Sequence, residues 1–207
     1  MMMAKQLQPQ DDRSLSPRER LKTYGVVIAA SLAVLWVIEI LDNIFPHALD
    51  AHGIHPREAD GLIGLVTAPF LHANFAHLAA NSIPFAVLGF FIMLRGLGTF
   101  IKVTVVTAVV GGLAVWIVGA SHSNHIGASG VIFGYFGFLI GLGVFERSFK
   151  ALAAAVLVGF LYGGIIFGVL PGTPGISWEG HLFGFLSGGG YAYLASQRAK
   201  NAKAGAA

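Results

Sequence analysis

The sequence predicts an all-α membrane protein, a bundle of six transmembrane helices with a shorter apolar segment in its first loop. Three observations predict it. Of the 207 residues, 55% are hydrophobic and only 11% are charged, whereas soluble domains carry about 25% charged residues. The mean hydropathy is +0.72, and the apolar residues gather in long runs free of charge. Six of those runs approach the roughly 20 residues that a spanning helix needs.

The chain opens with a polar, basic stretch, residues 1–22, holding Lys5, Arg13, Arg18, Arg20 and Lys22. It reads as a cytoplasmic tail ending in an interfacial turn. It has neither the short apolar core nor the small-residue cleavage site of a removable signal, so the first apolar segment is expected to stay in the membrane. The six spans read at about Tyr24–Phe45, Phe75–Leu94, Phe100–Ala120, Gly127–Phe145, Ala151–Leu170 and Ile176–Ala195. Together they make a membrane domain over residues 23–196, followed by a short basic tail over 197–207. The break Pro171-Gly172-Thr173-Pro174-Gly175 separates the last two spans. A further apolar run, Gly61–Phe70, is too short to span and reads as interfacial or re-entrant.

Six spans put both termini on one side, and basic residues mark the cytoplasmic side. The N-terminal stretch, the second-to-third link (Arg95, Lys102), the fourth-to-fifth link (Arg147, Lys150) and the C-terminal stretch (Arg198, Lys200, Lys203) hold all Lys and Arg except Arg57. Both termini are therefore expected in the cytoplasm. The net charge of +3 and pI near 9.3 arise from this bias and do not point to nucleic acid. With no cysteine, disulfides, zinc–thiolate sites and thiol chemistry are excluded.

All eight histidines, His47, His52, His55, His72, His77, His122, His125 and His181, fall on the outer side or in outer helix ends. His77 and His181 lie inside predicted spans, where polar groups are costly and tend to be functional. His77 and Asn81 share a face of the second span. Ser129 opens the fourth span inside Gly127-Ala128-Ser129-Gly130, a small-residue collar that leaves room for a reacting carbonyl, and His181 opens the sixth. The three spans run inward from the same side, so they bring these groups to one depth. That supplies a nucleophile (Ser129), a general base (His181) and oxyanion donors (His77, Asn81 and the Ser129 N–H). Gly130, Gly134, Gly137 and Gly141 on the fourth span and Gly180, Gly184 and Gly188 on the sixth allow close helix approach, which Ser129 and His181 need in order to meet. Phe133, one turn below Ser129, is placed to pack on the imidazole.

His72-(x4)-His77-(x3)-Asn81, Gly127-Ala128-Ser129-Gly130 and Gly180-His181-(x2)-Gly184 resemble the rhomboid intramembrane serine proteases, in family order from about Pro56 to Tyr193. The resemblance implies a six-helix rhomboid-like bundle whose embedded first loop is Gly61–Phe70. It implies a Ser129–His181 dyad without a third acid, and oxyanion or substrate contacts from His77, Asn81, Gly127, His72 and Phe133. No metal or other cofactor is implied. The substrates would be single-span membrane proteins, cut near the outer end of the span, and a bacterial plasma membrane is the implied location. Four features differ from the pattern. The first loop has no Trp-Arg pair, Arg95 stands near where many members have glutamate, Phe133 replaces a tyrosine, and Gly180 replaces an alanine.

Other readings compete. A small transporter or channel would also place His and Asn in its spans, but would show inverted repeats or helices broken at mid-membrane. A non-catalytic rhomboid-like adaptor would lack the serine or the histidine. A zinc protease would need a His-Glu-x-x-His helix, and the chain has none. His72 either lines the site or fixes the base of the first loop. Glu39 and Asp42 read as a solvated or hydrogen-bonded helix end, and His122 and His125 as residues of a surface loop rather than metal ligands. Glu179, two before His181, points to a different helix face and is a poor third catalytic member.

Overall fold

A computed structural model describes residues 14–45, 48–172 and 175–205. Lys5, Arg13, His47, Thr173 and Pro174 lie outside the described residues. Among the described residues there are six long helices: α1 (Pro17–Ile44), α2 (Phe75–Met93), α3 (Leu97–Val118), α4 (Ser129–Glu146), α5 (Phe149–Val169) and α6 (Trp178–Ala204). The first five are long and apolar enough to cross a membrane, making this a multi-pass membrane protein. α6 has 27 residues, but its glycines and polar ends lower its hydropathy. It lies in the bundle against α4. Among the described residues there is no β-strand, only one isolated antiparallel bridge between Ile54 and His125.

Two helix boundaries differ from the sequence reading. α1 begins inside the expected polar tail because Ser16 and Glu19 form a reciprocal capping box with Pro17 in the first turn, a strong start signal. α6 runs to Ala204 through the expected C-terminal tail, since no glycine or proline intervenes between Ala195 and Ala204.

α4 is the central helix. Val131, Ile132, Tyr135, Phe136, Phe138, Leu139 and Leu142 are all buried, and α2, α3, α5 and α6 pack around it. Its closest neighbour is α6. A Cβ on Gly184 would overlap the Gly130 carbonyl, and one on Gly188 would overlap the Gly134 carbonyl. The glycines therefore bring backbone onto backbone, as in small-residue membrane packing. Gly134 makes a second accommodation, since a Cβ there would overlap Thr107. Thr107 opens a π-helical turn, Thr107–Gly111, that interrupts α3.

The first loop holds the short helical turns Asp60–Ile63, Gly64–Thr67 and Ala68–Phe70. The loop is anchored from α3. The Arg57 guanidinium donates to the carbonyls of Ile117 (2.9 Å) and Gly119 (2.8 Å) and to Ser121 Oγ (2.7 Å), while the Trp116 indole N–H donates to the Glu58 carbonyl (2.8 Å). A cation at carbonyls around a helix C-terminus is well placed electrostatically. On α1, Glu39 and Asp42 are each 1% exposed, so this helix end is not solvated. It is hydrogen-bonded: Asp42 Oδ1 accepts from the Leu49 N–H at 2.6 Å and Glu39 Oε1 from Asn43 Nδ2 at 3.0 Å.

Candidate active site

Ser129 occupies the first position of α4 and His181 the first turn of α6. Their side chains meet: Ser129 Oγ lies 2.9 Å from His181 Nε2. The other ring nitrogen, Nδ1, is 2.9 Å from the Gly168 carbonyl. A carbonyl only accepts, so Nδ1 carries the hydrogen and Nε2 keeps its lone pair for the Ser129 hydroxyl. This tautomer is the one a general base needs. Phe133 stacks flat on the imidazole, with centroids 4.1 Å apart and planes at 6°. Gly168 closes in on the edge of both rings, since a Cβ there would sit 3.0 Å from both His181 Nδ1 and Phe133 Cζ.

Gly127 precedes this pair with φ +119, a left-handed conformation that favours glycine. A Cβ at this position would also lie 2.8 Å from His77 Cε1. The Gly127 N–H donates to the Ala68 carbonyl at 2.9 Å, joining the first loop to the serine. His77 is held in the first turn of α2, where Asn74 Oδ1 accepts its backbone N–H at 2.9 Å. Asn81 lies one turn deeper on the same face. It is buried, and its amide Nδ2 makes no hydrogen bond within the described protein. His72 is buried beside His77, ring centroids 5.1 Å apart, and its Nε2 accepts the Ala128 N–H at 3.3 Å. This bond ties the base of the first loop to the residue before Ser129.

A cavity of about 560 Å³ stands between the dyad and the adjoining loops, lined by Ser129, His181, His77, Asn124, Trp178 and Glu179 among others. Asn81, His72 and Phe133 are not in its lining. A second cavity of only about 50 Å³ also borders Ser129, with Gly127, Gly130, Gly180 and Gly184 among its lining residues.

Sequence reasoning missed two residues. Gly168 contributes a backbone carbonyl, which no side-chain pattern announces. His125, read as part of a surface loop, is 7% exposed, and burial lowers its pKa below the ordinary histidine value. Its separation from Ser177, the same 52 residues that part Ser129 from His181, was the available signal.

Helices, glycine packing and site geometry together describe a rhomboid-type membrane fold. Residues 59–198, more than half of the chain, match the Rhomboid domain, and the chain belongs to that family. An uncharacterized protein of Mycobacterium tuberculosis is 40% identical over 195 residues, covering 90% of this chain and 81% of the relative. An uncharacterized protein of Mycobacterium leprae is 43% identical over 189 residues, 87% and 74% of the two chains. A Bacillus subtilis protein that bears the name "Putative rhomboid protease YdcA" is 28% identical over 145 residues, 65% and 67% of the two chains.

Proposed function

We propose that this protein is an intramembrane serine endopeptidase that cleaves single-span membrane proteins near the outer end of their membrane segment. The observation that carries the reading is the 2.9 Å contact between Ser129 Oγ and His181 Nε2, with Nδ1 tied to the Gly168 carbonyl. The contact lies within hydrogen-bonding reach and the tautomer is correct for base catalysis.

The reaction is acyl transfer. Ser129 Oγ attacks the peptide carbonyl carbon while its proton moves to His181 Nε2. The resulting oxyanion is stabilised by hydrogen bonds from His77, Asn81 and the Ser129 backbone N–H, and the unpartnered Asn81 amide supports this assignment. Collapse of the intermediate breaks the C–N bond, and the leaving amine takes the proton from His181. Water from the 560 Å³ cavity then attacks the acyl-enzyme, giving a proton to His181, which returns it to Ser129 Oγ as the ester C–O bond breaks and the carboxylic acid leaves. The small size of the 50 Å³ cavity beside Ser129 favours a small residue at the scissile bond. The Gly168 carbonyl takes the orienting position that an acid holds in a Ser–His–Asp triad.

The distribution of Lys and Arg supports cytoplasmic termini with Ser129 towards the outer face, and the bacterial relatives support a plasma-membrane location. Residues 23–196 then form the protease domain, between basic segments 1–22 and 197–207. Cleavage of a single-span substrate by purified protein in liposomes is the test. Ser129→Ala and His181→Ala should each lower the rate at least about 10³-fold, and a fluorophosphonate should label Ser129 covalently. Undiminished cleavage by Ser129→Ala overturns the reading, and absent cleavage and labelling in the unaltered protein point to a non-catalytic adaptor.

A further inference from the structure

Four residues before each member of the dyad stands the other residue type. His125 precedes Ser129 and Ser177 precedes His181, and the two earlier residues are themselves hydrogen-bonded, His125 Nδ1 to Ser177 Oγ at 2.6 Å. The directions of the surrounding bonds follow from who can donate. Ser123 Oγ lies 2.6 Å from the Ala120 carbonyl and donates to it. It therefore accepts from His125 Nε2–H at 2.8 Å. Nδ1 is then the acceptor for the Ser177 hydroxyl, whose oxygen in turn accepts the Gly180 N–H at 3.1 Å. The result is one consistent chain from the Ala120 carbonyl to the Gly180 amide, the residue next to His181. The His125 backbone adds a third attachment, exchanging N–H···O bonds with Ile54 of the first loop at 3.0 Å each way.

This junction meets a need that the glycines leave open. Gly130 against Gly184 and Gly134 against Gly188 let α4 and α6 approach closely, but a smooth seam of small residues constrains sliding along the axis weakly. A slip of one residue is about 1.5 Å, enough to break the Ser129–His181 contact, and a misplacement near 1 Å can cost on the order of 10²-fold in rate.

We propose that His125 and Ser177 are positioning residues, a second and non-reacting His–Ser pair that fixes the axial register of α6 against the loop leading into α4 and so sets the Ser129–His181 distance. The proposal rests on the protease reading above. The Ser177 hydroxyl is assigned a positioning role: its oxygen accepts the Gly180 N–H and its proton goes to His125.

The test uses the full chain in liposomes with the variants Ser177→Gly, His125→Ala, their double and His125→Asn. Glycine is nearly as good as serine before a helix, so Ser177→Gly removes the bond to His125 while sparing the helix start. Each single variant should lower kcat and the rate of fluorophosphonate labelling of Ser129 about 10-fold with KM unchanged, and the double should also lose about 10-fold, not about 100-fold. His125→Asn should recover most of the rate, since its amide oxygen can accept the Ser177 proton. Full labelling rates in both single variants, losses that multiply in the double, or a lower unfolding temperature with kcat unchanged each overturn the proposal. An unaltered protein that neither labels nor cleaves overturns the protease reading beneath it instead.

Discussion

α4 and α5 leave the same turn, Arg147–Ser148, yet they are built on opposite terms. Of an 18-residue window, 67% is buried in α4 and 11% in α5. α4 is gripped on several sides and meets α6 backbone to backbone, while α5 shows Phe149 and Phe160 to the surroundings, each 86% exposed. The C-terminal part of α5, Gly163–Val169, tightens into a 3₁₀ helix with no buried residue. Yet this loosely held segment supplies the Gly168 carbonyl that orients His181. Stability resides in the α4–α6 pair, whereas one determinant of the proposed chemistry sits on the least supported helix. The two properties should therefore separate under mutation.

The largest effect should come from the tight side. Gly184→Ala and Gly188→Ala each drive a methyl group into a carbonyl of α4, and backbone cannot step aside as a side chain can. Each should cost at least about 3 kcal/mol, read as loss of folded protein in detergent and a lowered unfolding midpoint. Gly163→Ala and Gly164→Ala on α5 meet nothing within 4 Å and should leave the midpoint unchanged. If Gly184→Ala is tolerated as well as Gly164→Ala, the contrast between the helices fails.

Next comes a substitution that should damage the site and spare the fold. In Gly168→Ala the new methyl group would sit 3.0 Å from both His181 Nδ1 and Phe133 Cζ, so the C-terminal end of α5 must shift and the Nδ1–H···O bond lengthens. We expect kcat about 10-fold lower, a barrier increase of about 1.4 kcal/mol, with the unfolding midpoint unchanged because the segment is not buried. A drop in the midpoint matching that of Gly184→Ala would show that α5 carries stability after all.

The legibility of these features in the sequence follows the same division. Spanning helices are legible because twenty apolar residues in a row have few other uses, and close packing is legible because glycine every fourth residue has a geometric meaning. Ser129, His181 and Phe133 come together as their helical spacing implies, since all three project from regular helices. What is illegible comes from backbone and from loops. Gly168 acts through a carbonyl that every residue possesses. Arg57 and Trp116 anchor the first loop from two distant segments, a job that the missing Trp-Arg pair would have signalled locally. His125 looked like a loop histidine because local sequence does not report the long-range bond to Ser177. Helix ends slipped for a related reason: the Ser16–Glu19 capping box lies in a stretch whose charge suggested a tail.

The smallest expected effect lies at the opposite end of α4, and it asks how far the rigid half extends. Arg95, just past α2, pairs with Glu146, the last residue of α4. The side chains are 38% and 19% exposed, and exposed ion pairs contribute about 0–1 kcal/mol. Arg95→Glu places two acids together and should lower the unfolding free energy by about 1 kcal/mol. Adding Glu146→Arg should restore it, with the pair reversed and a glutamate near the position where many family members carry one. Neither variant should alter kcat, because the pair lies at the end of α4 remote from Ser129. A loss above about 2 kcal/mol for Arg95→Glu, unrescued by Glu146→Arg, would mean that the rim braces the bundle. The boundary between the supported and the unsupported half would then run through the helix ends rather than between α4 and α5.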